Sequence, residues 1–386
     1  MHSDFLNFAC PKLAVVGCFI FIFLNPVLSA QDDEKPTLDI GGAIRFNYNL
    51  SSWKEGQKDR GGDFGYDLFR LNVSGTYQGL FARAEYRLYA DVFGGDFLKE
   101  GVVGYNFDEK NLIEFGLAKV PFGIERYNSH NFFFNLPYYV GLEDDYDMGV
   151  TFTHTAERLE YHFGYFKNAE EEIFADISEH TSNRYAYDIV GRNKEIHQFN
   201  GKVIYKPLKN PAHNFGLSAQ YGGIYNLDTR NTGDRYALAA HYEYKTEDWL
   251  IKAQALTASF SPENAEGESR QSIMMGAFGA PYEVATEFEI YNIGISRILD
   301  INTKLVKHIE VYNDFGYMRK RNSGFDDSIM NVVGFLFSSG PIFCFVDYAA
   351  GYNHSWLGGD YVDDFSTGDP DAKWEARFNI NIGYYF

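Results

Sequence analysis

The last segment of the chain, residues 374–386, alternates between apolar and polar side chains. A period of two indicates a β-strand, because successive side chains of a strand point to opposite faces. A strand with one apolar face and one polar face separates two different media. It also ends on a bare aromatic residue, where soluble domains usually end on polar ones. An edge strand of a soluble sandwich is the alternative. The apolar positions are Trp374, Ala376, Phe378, Ile380, Ile382, Tyr384 and Phe386.

The same period recurs along the whole chain and predicts sixteen strands. The fourth, twelfth and thirteenth segments alternate poorly, so counts of fourteen or eighteen stay open. The predicted strands are 38–50, 66–77, 80–93, 101–107, 111–120, 148–156, 159–167, 195–206, 214–225, 235–245, 249–259, 286–298, 304–318, 328–338, 341–352 and 374–386.

The connections between these segments are unequal in length. Those after even-numbered segments are short, as at 78–79 and 339–340, whereas those after odd-numbered segments are mostly long, as at 121–147 and 168–194. An even number of strands, with both termini and the short turns on one side, is typical of a bacterial outer-membrane barrel. We therefore predict an all-β fold, a transmembrane antiparallel β-barrel of sixteen strands. Sixteen strands enclose an aqueous lumen.

The start of the chain predicts export from the cytoplasm. Lys12 precedes an apolar run at residues 13–24, and small residues at 29–30 precede an acidic stretch, which together form a secretory signal peptide over residues 1–30. Residues 31–386 then form a single barrel domain. A mean hydropathy of −0.32 fits this prediction, because each strand of a membrane barrel is only half apolar. We expect the mature protein in the outer membrane of a Gram-negative cell.

Parity along the strands predicts which side chains line the lumen. Arg45 in the first strand, Arg70 in the second, and Arg83 and Arg87 in the third all fall on the inward face, as does Lys202 in the eighth. A guanidinium group stays charged and presents a planar fork of donors that suits phosphate or carboxylate oxygens. These residues are therefore candidates for anion binding. The alternative is that they pair with inward carboxylates in a neutral lattice.

The third long connection, residues 121–147, is the predicted constriction of the pore. It is rich in aromatic residues, which include Phe132, Phe133 and Tyr138, and it ends in an acidic run that contains Asp145. An apolar loop of this length is not left in water, so we expect it to fold into the lumen. The acidic run and the acidic outer loops are the features that disagree with an anion channel, since carboxylates at the mouth would repel anions.

The segment GLAKVPFGIERYNS, residues 116–129, resembles the G-x-x-K-x-P-F-G-x-E segment of the phosphate-selective porin O and P family. The stretches IGGAIRFNY and YDLFRLNVSG are similar to that family as well. The resemblance implies a trimeric, sixteen-stranded porin that passes small anions, phosphate or polyphosphate among them. It also implies that Arg126 lines the pore, and that Tyr384 and Phe386 form the signal read by the barrel-assembly machinery.

Other classes of function receive less support from the sequence. No Ser or Asp lies at a spacing that would build a triad with the strand histidines, and no His-Glu-x-x-His occurs, so no enzyme is predicted. We expect no cofactor, no metal site and no nucleic-acid partner for a chain whose formal net charge is −19. The expected partners are membrane lipid, lipopolysaccharide and small anionic solutes. A general or oligosaccharide porin without anion selectivity is the alternative function.

Overall fold

The computed structural model describes residues 35–125, 127–170, 181–301, 303–304 and 306–386. Over these residues the chain forms a closed antiparallel barrel of sixteen strands, which confirms the predicted fold class. The predicted signal peptide lies outside the described residues. Among the residues described, no helix is long and apolar enough to cross a membrane.

Of the nineteen strands in the described part of the chain, sixteen form the barrel, and each is hydrogen-bonded to its neighbours round a closed ring. Their bounds are β1 (Thr37–Ser51), β2 (Asp63–Tyr77), β3 (Leu80–Leu88), β4 (Asp96–Asn106), β5 (Asn111–Lys119), β6 (Tyr146–Thr155), β7 (Leu159–Asn168), β9 (Asn193–Tyr205), β10 (His213–Asn226), β11 (Thr232–Lys245), β12 (Trp249–Phe260), β15 (Glu287–Asp300), β16 (His308–Lys320), β17 (Ser328–Ser339), β18 (Ile342–Tyr352) and β19 (Glu375–Tyr385).

Each barrel strand overlaps one predicted segment, and the predicted and observed strands differ only in where they begin and end. The third strand stops at Leu88 rather than at residue 93, because Gly94 and Gly95 both have positive φ and turn the chain after a short 3-10 helix, Asp91–Phe93. The thirteenth strand begins at His308, four residues later than predicted. Such errors are expected where alternation is weak.

The predicted long loops contain regular structure that the sequence analysis missed. Three short strands, β8 (Asp188–Ile189), β13 (Ser272–Ala277) and β14 (Ala280–Ala285), pair into a separate sheet in the order β14-β13-β8. Two short helices, α1 (Glu55–Asp59) and α2 (Leu136–Tyr139), lie in the first and third long loops. These three strands were missed because segments of only two to six residues are too short to show a period.

The outward face of the barrel is apolar and exposed. Large side chains at outward parity, such as Phe115 and Leu217, are 59% and 61% exposed, whereas the inward Asn379 and Asn381 are buried. A soluble protein rarely exposes a continuous apolar surface, so this belt is typical of a surface that contacts lipid. The parity read from the sequence therefore matches the burial on the last strand.

Strands β1 and β19 close the ring. Their register pairs Arg45 with Gly383 and Tyr48 with Ile380, and beyond the strand end Phe386 exchanges two backbone hydrogen bonds of 2.8 and 3.0 Å with Gly42. A Cβ atom at Gly42 would lie 2.3 Å from the carbonyl oxygen of Arg70, so a glycine is required at this seam. The final residue is thus part of the ladder that closes the barrel.

The long loops at one end pack together in an apolar core. This core joins α2, the sheet of β8, β13 and β14, and the loop between β18 and β19. The backbone N–H of Ala285 on β14 donates to the carbonyl oxygen of Phe365 in that loop. Tyr282 on β14 is buried and donates its hydroxyl to the carbonyl oxygen of Tyr139 on α2 at 2.5 Å. These loops therefore cover part of the lumen from within.

Replacing Phe386 with Asp is expected to reduce the amount of folded barrel in the membrane fraction. The substitution places a charge on an apolar, half-exposed position at the closing seam, where the strand edge must pair. Heat-modifiable mobility on gels measures the folded fraction. The matched control is Val362→Asp, a change at an exposed apolar loop position, which should leave that fraction unchanged; normal folding of the Phe386 variant would contradict the prediction.

Candidate functional site

Loop L3, residues 120–145 between β5 and β6, crosses the lumen to the opposite side of the barrel. Its far anchor is the carboxylate of Asp314 on β16, which is buried. This carboxylate accepts hydrogen bonds from the backbone N–H groups of His130 and Asn131, from the Asn131 side chain and from the His130 ring, at 2.7 to 3.1 Å. Because β16 lies about halfway round the ring from β5, the loop spans the interior.

Further contacts fix L3 along its length. Asp347 on β18 accepts from the backbone N–H of Phe132 at 3.2 Å and from the hydroxyl of Tyr312 at 2.6 Å. Lys252 on β12 donates to two carbonyl oxygens of the loop at 2.7 and 2.8 Å. Near the start of the loop, Gln254 accepts from the backbone N–H of Ile124 at 2.9 Å. The prediction that the third loop folds into the lumen is therefore confirmed.

The middle of L3 is an aromatic cluster built on α2. Asn135 caps this helix by accepting from the backbone N–H of Leu136 at 2.8 Å. The rings of Phe134 and Tyr138 are stacked with their centroids 3.9 Å apart. Tyr138 is buried on its other side against Tyr187 from the loop that follows β7. The cluster gives the loop a rigid apolar face toward the remaining open space.

That open space is a cavity of about 710 Å³ between L3 and the wall formed by β1, β2, β3, β17, β18 and β19. Four arginines line it, namely Arg45, Arg70, Arg87 and Arg377. The carboxylates that line it are Asp63 and Asp67. L3 contributes Phe132, Phe133 and Tyr138 to the other side.

Three of the predicted arginines, on adjacent strands, converge on this cavity, and each has a carboxylate neighbour. Arg45 lies 2.8 Å from Asp67, which a β-bulge in β2 turns inward. Arg87 lies 2.6 Å from Glu85, and Arg70 is 3.7 Å from the same carboxylate. With Glu85 counted beside the cavity-lining Asp63 and Asp67, the four guanidinium groups still outnumber the three carboxylates among the described residues.

Arg377 on β19 is the cavity arginine that the list of candidate residues omitted. Its Nε donates to the hydroxyl of Ser51 at 3.1 Å and its guanidinium group lies 5.0 Å from the ring centroid of Trp53. Within the described parts of the chain, no carboxylate lies within 4.0 Å of it. Inward parity on the last strand was the sequence signal that could have identified this residue.

The other predicted basic residues lie elsewhere. Arg83 is at the other end of β3, paired with Glu100 at 2.7 Å and with Glu114. Lys202 is buried on β9 and contacts Glu125 at 2.9 Å, at the start of L3. Arg126 lies outside the described residues. Only three of the six predicted basic residues are thus brought together at the cavity by the described structure.

The acidic run at the end of L3 is buried rather than displayed to the lumen. Asp144 lies 3.1 Å from Lys99 and from Lys119 and accepts from Tyr185 at 2.5 Å. Burial by itself would raise the pKa of Asp144, but these two ammonium groups hold it well below its usual range. Burial raises the pKa of Glu143 to about 8, so this carboxyl group is mostly protonated at neutral pH. The run therefore adds little negative charge to the cavity.

Asp145, predicted as a constriction residue, is buried away from the cavity. Its carboxylate lies with those of Asp147 and Asp188 so that one oxygen from each is within 4.8 Å of the others. Arg184 contacts Asp188 at 2.7 Å and offsets part of the negative charge. Such an all-oxygen donor set suits a hard divalent cation, so these are the residues that could hold a metal ion in the part of the chain described.

No known protein-family model matches the chain, and no curated protein matches its sequence. Several solved structures resemble its fold. OmpT of Vibrio cholerae has a TM-score of 0.57 at 14% identity, covering 92% of this chain and 99% of that chain. An anion-selective porin from Comamonas acidovorans has a TM-score of 0.58 at 12% identity, covering 91% and 100%. The outer membrane channel DcaP of Acinetobacter baumannii has 0.55 at 11%, covering 91% and 97%.

These likenesses show that the chain has the fold of outer-membrane porins. The phosphate-selective family that the sequence resembles stays a prediction, as does every residue role carried over from it.

Shortening L3 between Tyr127 and Val140 is expected to raise single-channel conductance, because this stretch fills the lumen opposite the arginine wall. Planar-bilayer recordings measure the change. The control is removal of residues 266–268, an exposed part of the loop after β12, which should leave conductance unchanged. An unchanged conductance in a folded L3 variant would show that the loop does not limit the current.

Replacing Glu143 with Gln is expected to remove a pH dependence of stability. Burial raises the pKa of Glu143 from 4.5 to about 8, so the stability that the neutral carboxyl group contributes is present below pH 4.5 and is lost as the pH rises toward 8. Gln stays neutral and still accepts from the backbone N–H of Asn128. At pH 8 the variant should be more stable, by on the order of 1–3 kcal/mol.

Loss of heat-modifiable mobility with temperature, compared at pH 5 and pH 8, measures this effect. Glu266→Gln, at an exposed loop position, is the control. A Glu143 variant whose melting shifts with pH as much as that of the unmodified protein would contradict the assignment.

Proposed function

We propose that this protein is an outer-membrane porin that forms a water-filled channel for small anions. One observation carries the proposal: the cavity beside L3 is lined by four guanidinium groups and two carboxylates. The excess of positive charge lies on the wall opposite L3. Phosphate and polyphosphate are the inorganic anions that the sequence resemblance suggests.

The electrostatic argument depends on distance and on burial. Guanidinium groups are charged at every relevant pH, and in a narrow passage with apolar walls they are screened less than on an open surface. The acidic run of L3 does not cancel them, since Asp144 is neutralised by two lysines and Glu143 is mostly protonated. An anion in the cavity therefore meets a net positive wall. Pairing of Arg45 and Arg87 with carboxylates keeps that attraction moderate, so that an anion can also leave.

A general or oligosaccharide porin is the second candidate, and the aromatic wall of L3 favours it. Stacked rings such as Phe134 and Tyr138 offer apolar faces on which sugar rings can pack. A neutral sugar would use the same cavity without needing its charge. Block of the ion current by maltose or other oligosaccharides at millimolar concentration, with no selectivity for anions, would favour this function.

The proposal includes location and partners. An exposed apolar belt and a closed ring of strands suit the outer membrane of a Gram-negative cell, and we include an association into homotrimers, as the resemblance implies. Acidic outer loops can contact lipopolysaccharide through divalent cations. The closing strand that ends at Phe386 is proposed as the segment read by the barrel-assembly machinery. The protein is proposed to be a channel and not an enzyme.

Changing Arg45 and Arg70 together to Gln is expected to shift permeability from anions toward cations. Gln retains hydrogen bonding but removes two of the four positive charges of the cavity wall. The reversal potential in a potassium chloride gradient measures the shift. Arg319→Gln, at an exposed outward position, is the matched control.

The unmodified channel should prefer chloride over potassium, and the control should keep that preference. Two results would contradict the proposal: a double variant that keeps its reversal potential, or an unmodified channel that prefers potassium. In either case the arginines act only as partners of inward carboxylates, and the proposal of an anion channel is wrong.

A further inference from the structure

Three arginines of the cavity lie against aromatic rings as well as near their carboxylate partners. The guanidinium group of Arg87 lies 4.2 Å from the ring centroid of Tyr185, and those of Arg45 and Arg70 lie 5.4 Å from the rings of Phe132 and Tyr385. All three rings line the cavity themselves. Cations and flat apolar faces therefore lie in contact with each other around the same cavity.

Aromatic rings continue round the cavity beyond those three contacts. Phe134 packs edge-on against Tyr127 at 4.9 Å, and Phe132 lies 6.2 Å from Phe345 of β18. Inward positions of a porin strand are usually polar, yet Phe343, Phe345 and Tyr385 all face this lumen. The walls are thus mainly apolar surface interrupted by guanidinium groups.

This lining treats different anions unequally. A small inorganic anion would have to give up part of its water shell to rings that return no hydrogen bonds. A neutral sugar would supply no counter-charge to Arg377, which has no carboxylate partner among the described residues. A planar organic anion meets both features, because its carboxylate can bind a guanidinium fork while its ring stacks on an adjacent aromatic face.

Arg377 provides a guanidinium group that such a carboxylate could bind without displacing a protein carboxylate. Among the residues described, it has no acidic partner within 4.0 Å, and its side chain is held by Ser51 and by the ring of Trp53. Arg70 provides a second guanidinium group for such a carboxylate, because its ion pair with Glu85 is long, at 3.7 Å.

We infer that the cavity beside L3 is a binding site for aromatic carboxylates, which pass through the channel in preference to aliphatic carboxylates and to phosphate. This inference rests on the proposed anion channel and specifies its substrate class. Binding is moderate, since a stacking contact alone favours an aromatic solute by a few-fold, and a solute held too tightly would not be released.

Bi-ionic reversal potentials of the full-length mature protein in planar bilayers test the inference. The potassium salts compared are acetate, phosphate, benzoate and cyclohexanecarboxylate, the last being similar to benzoate in size but without a π-system. We expect benzoate to be at least about threefold more permeant than acetate, and also more permeant than cyclohexanecarboxylate and phosphate. Benzoate should also reduce the chloride current at millimolar concentration. A pore that only sieves by size would pass benzoate less readily than acetate.

Two substitutions test whether the aromatic rings cause the preference for benzoate, without disturbing the fold. Phe132→Leu keeps an apolar side chain of similar reach and the backbone hydrogen bond to Asp347, so L3 should stay in place. It should lower the preference for benzoate over acetate by a larger factor than it changes the preference for chloride over potassium. Phe335→Leu, on the outward side of β17, is the matched control and should change neither.

The outcomes distinguish this inference from the proposed function. An anion-selective channel in which benzoate is no more permeant than acetate overturns the inference and leaves the anion channel standing. A benzoate preference that Phe132→Leu leaves intact places the site elsewhere and also overturns it. A channel that prefers potassium over every anion overturns the proposed function itself.

Discussion

The architecture depends on one requirement, that no backbone N–H or C=O group is left without a partner where the protein meets lipid. An open sheet fails this test at its two edges, and in hydrocarbon water cannot repair the failure. The chain meets the requirement by pairing its first strand with its last, from Arg45 against Gly383 out to the mutual hydrogen bonds of Gly42 and Phe386. The glycine at the seam follows from that closure, because a Cβ atom at Gly42 would lie 2.3 Å from the carbonyl oxygen of Arg70.

Closure creates an interior that sixteen strands are too many to fill with their own side chains. The chain fills much of it with loops instead. L3 is carried across the lumen and held by two buried carboxylates, Asp314 and Asp347, which accept from the loop backbone. Other loops then pack on L3 through α2 and the small sheet that contains Tyr282. The remaining cavity is therefore a consequence of where L3 is anchored.

Charge in the interior is arranged in two different ways. Away from the cavity, acids and bases neutralise each other at close range, as Asp144 does with Lys99 and Lys119. At the cavity the pairing is incomplete, with Arg377 held by a hydroxyl group and a ring. A chain with a formal net charge of −19 can thus contain a cavity wall with more guanidinium groups than carboxylates, because the charge of the whole protein does not determine the charge of one wall.

The sequence by itself predicted the barrel, a count of sixteen strands with fourteen and eighteen left open, and the inward residues of several strands. These properties are local: a period of two and a turn are visible within about ten residues, so Arg45, Arg70 and Arg377 could be placed inward without any knowledge of their neighbours. The missing short strands and the early end of β3 are the errors expected where a segment is too short or its alternation too weak to show a period.

Only the tertiary structure decided which inward groups meet. It separated Arg83 and Lys202 from the other predicted basic residues, and it buried Asp145 at the end of L3, away from the cavity. It also placed rings from distant loops, such as Tyr185, against Arg87. These contacts join residues far apart in the chain, and they depend on the path of L3 across the lumen. No periodic pattern encodes that path, because it is set by hydrogen bonds to single carboxylates on strands about halfway round the barrel.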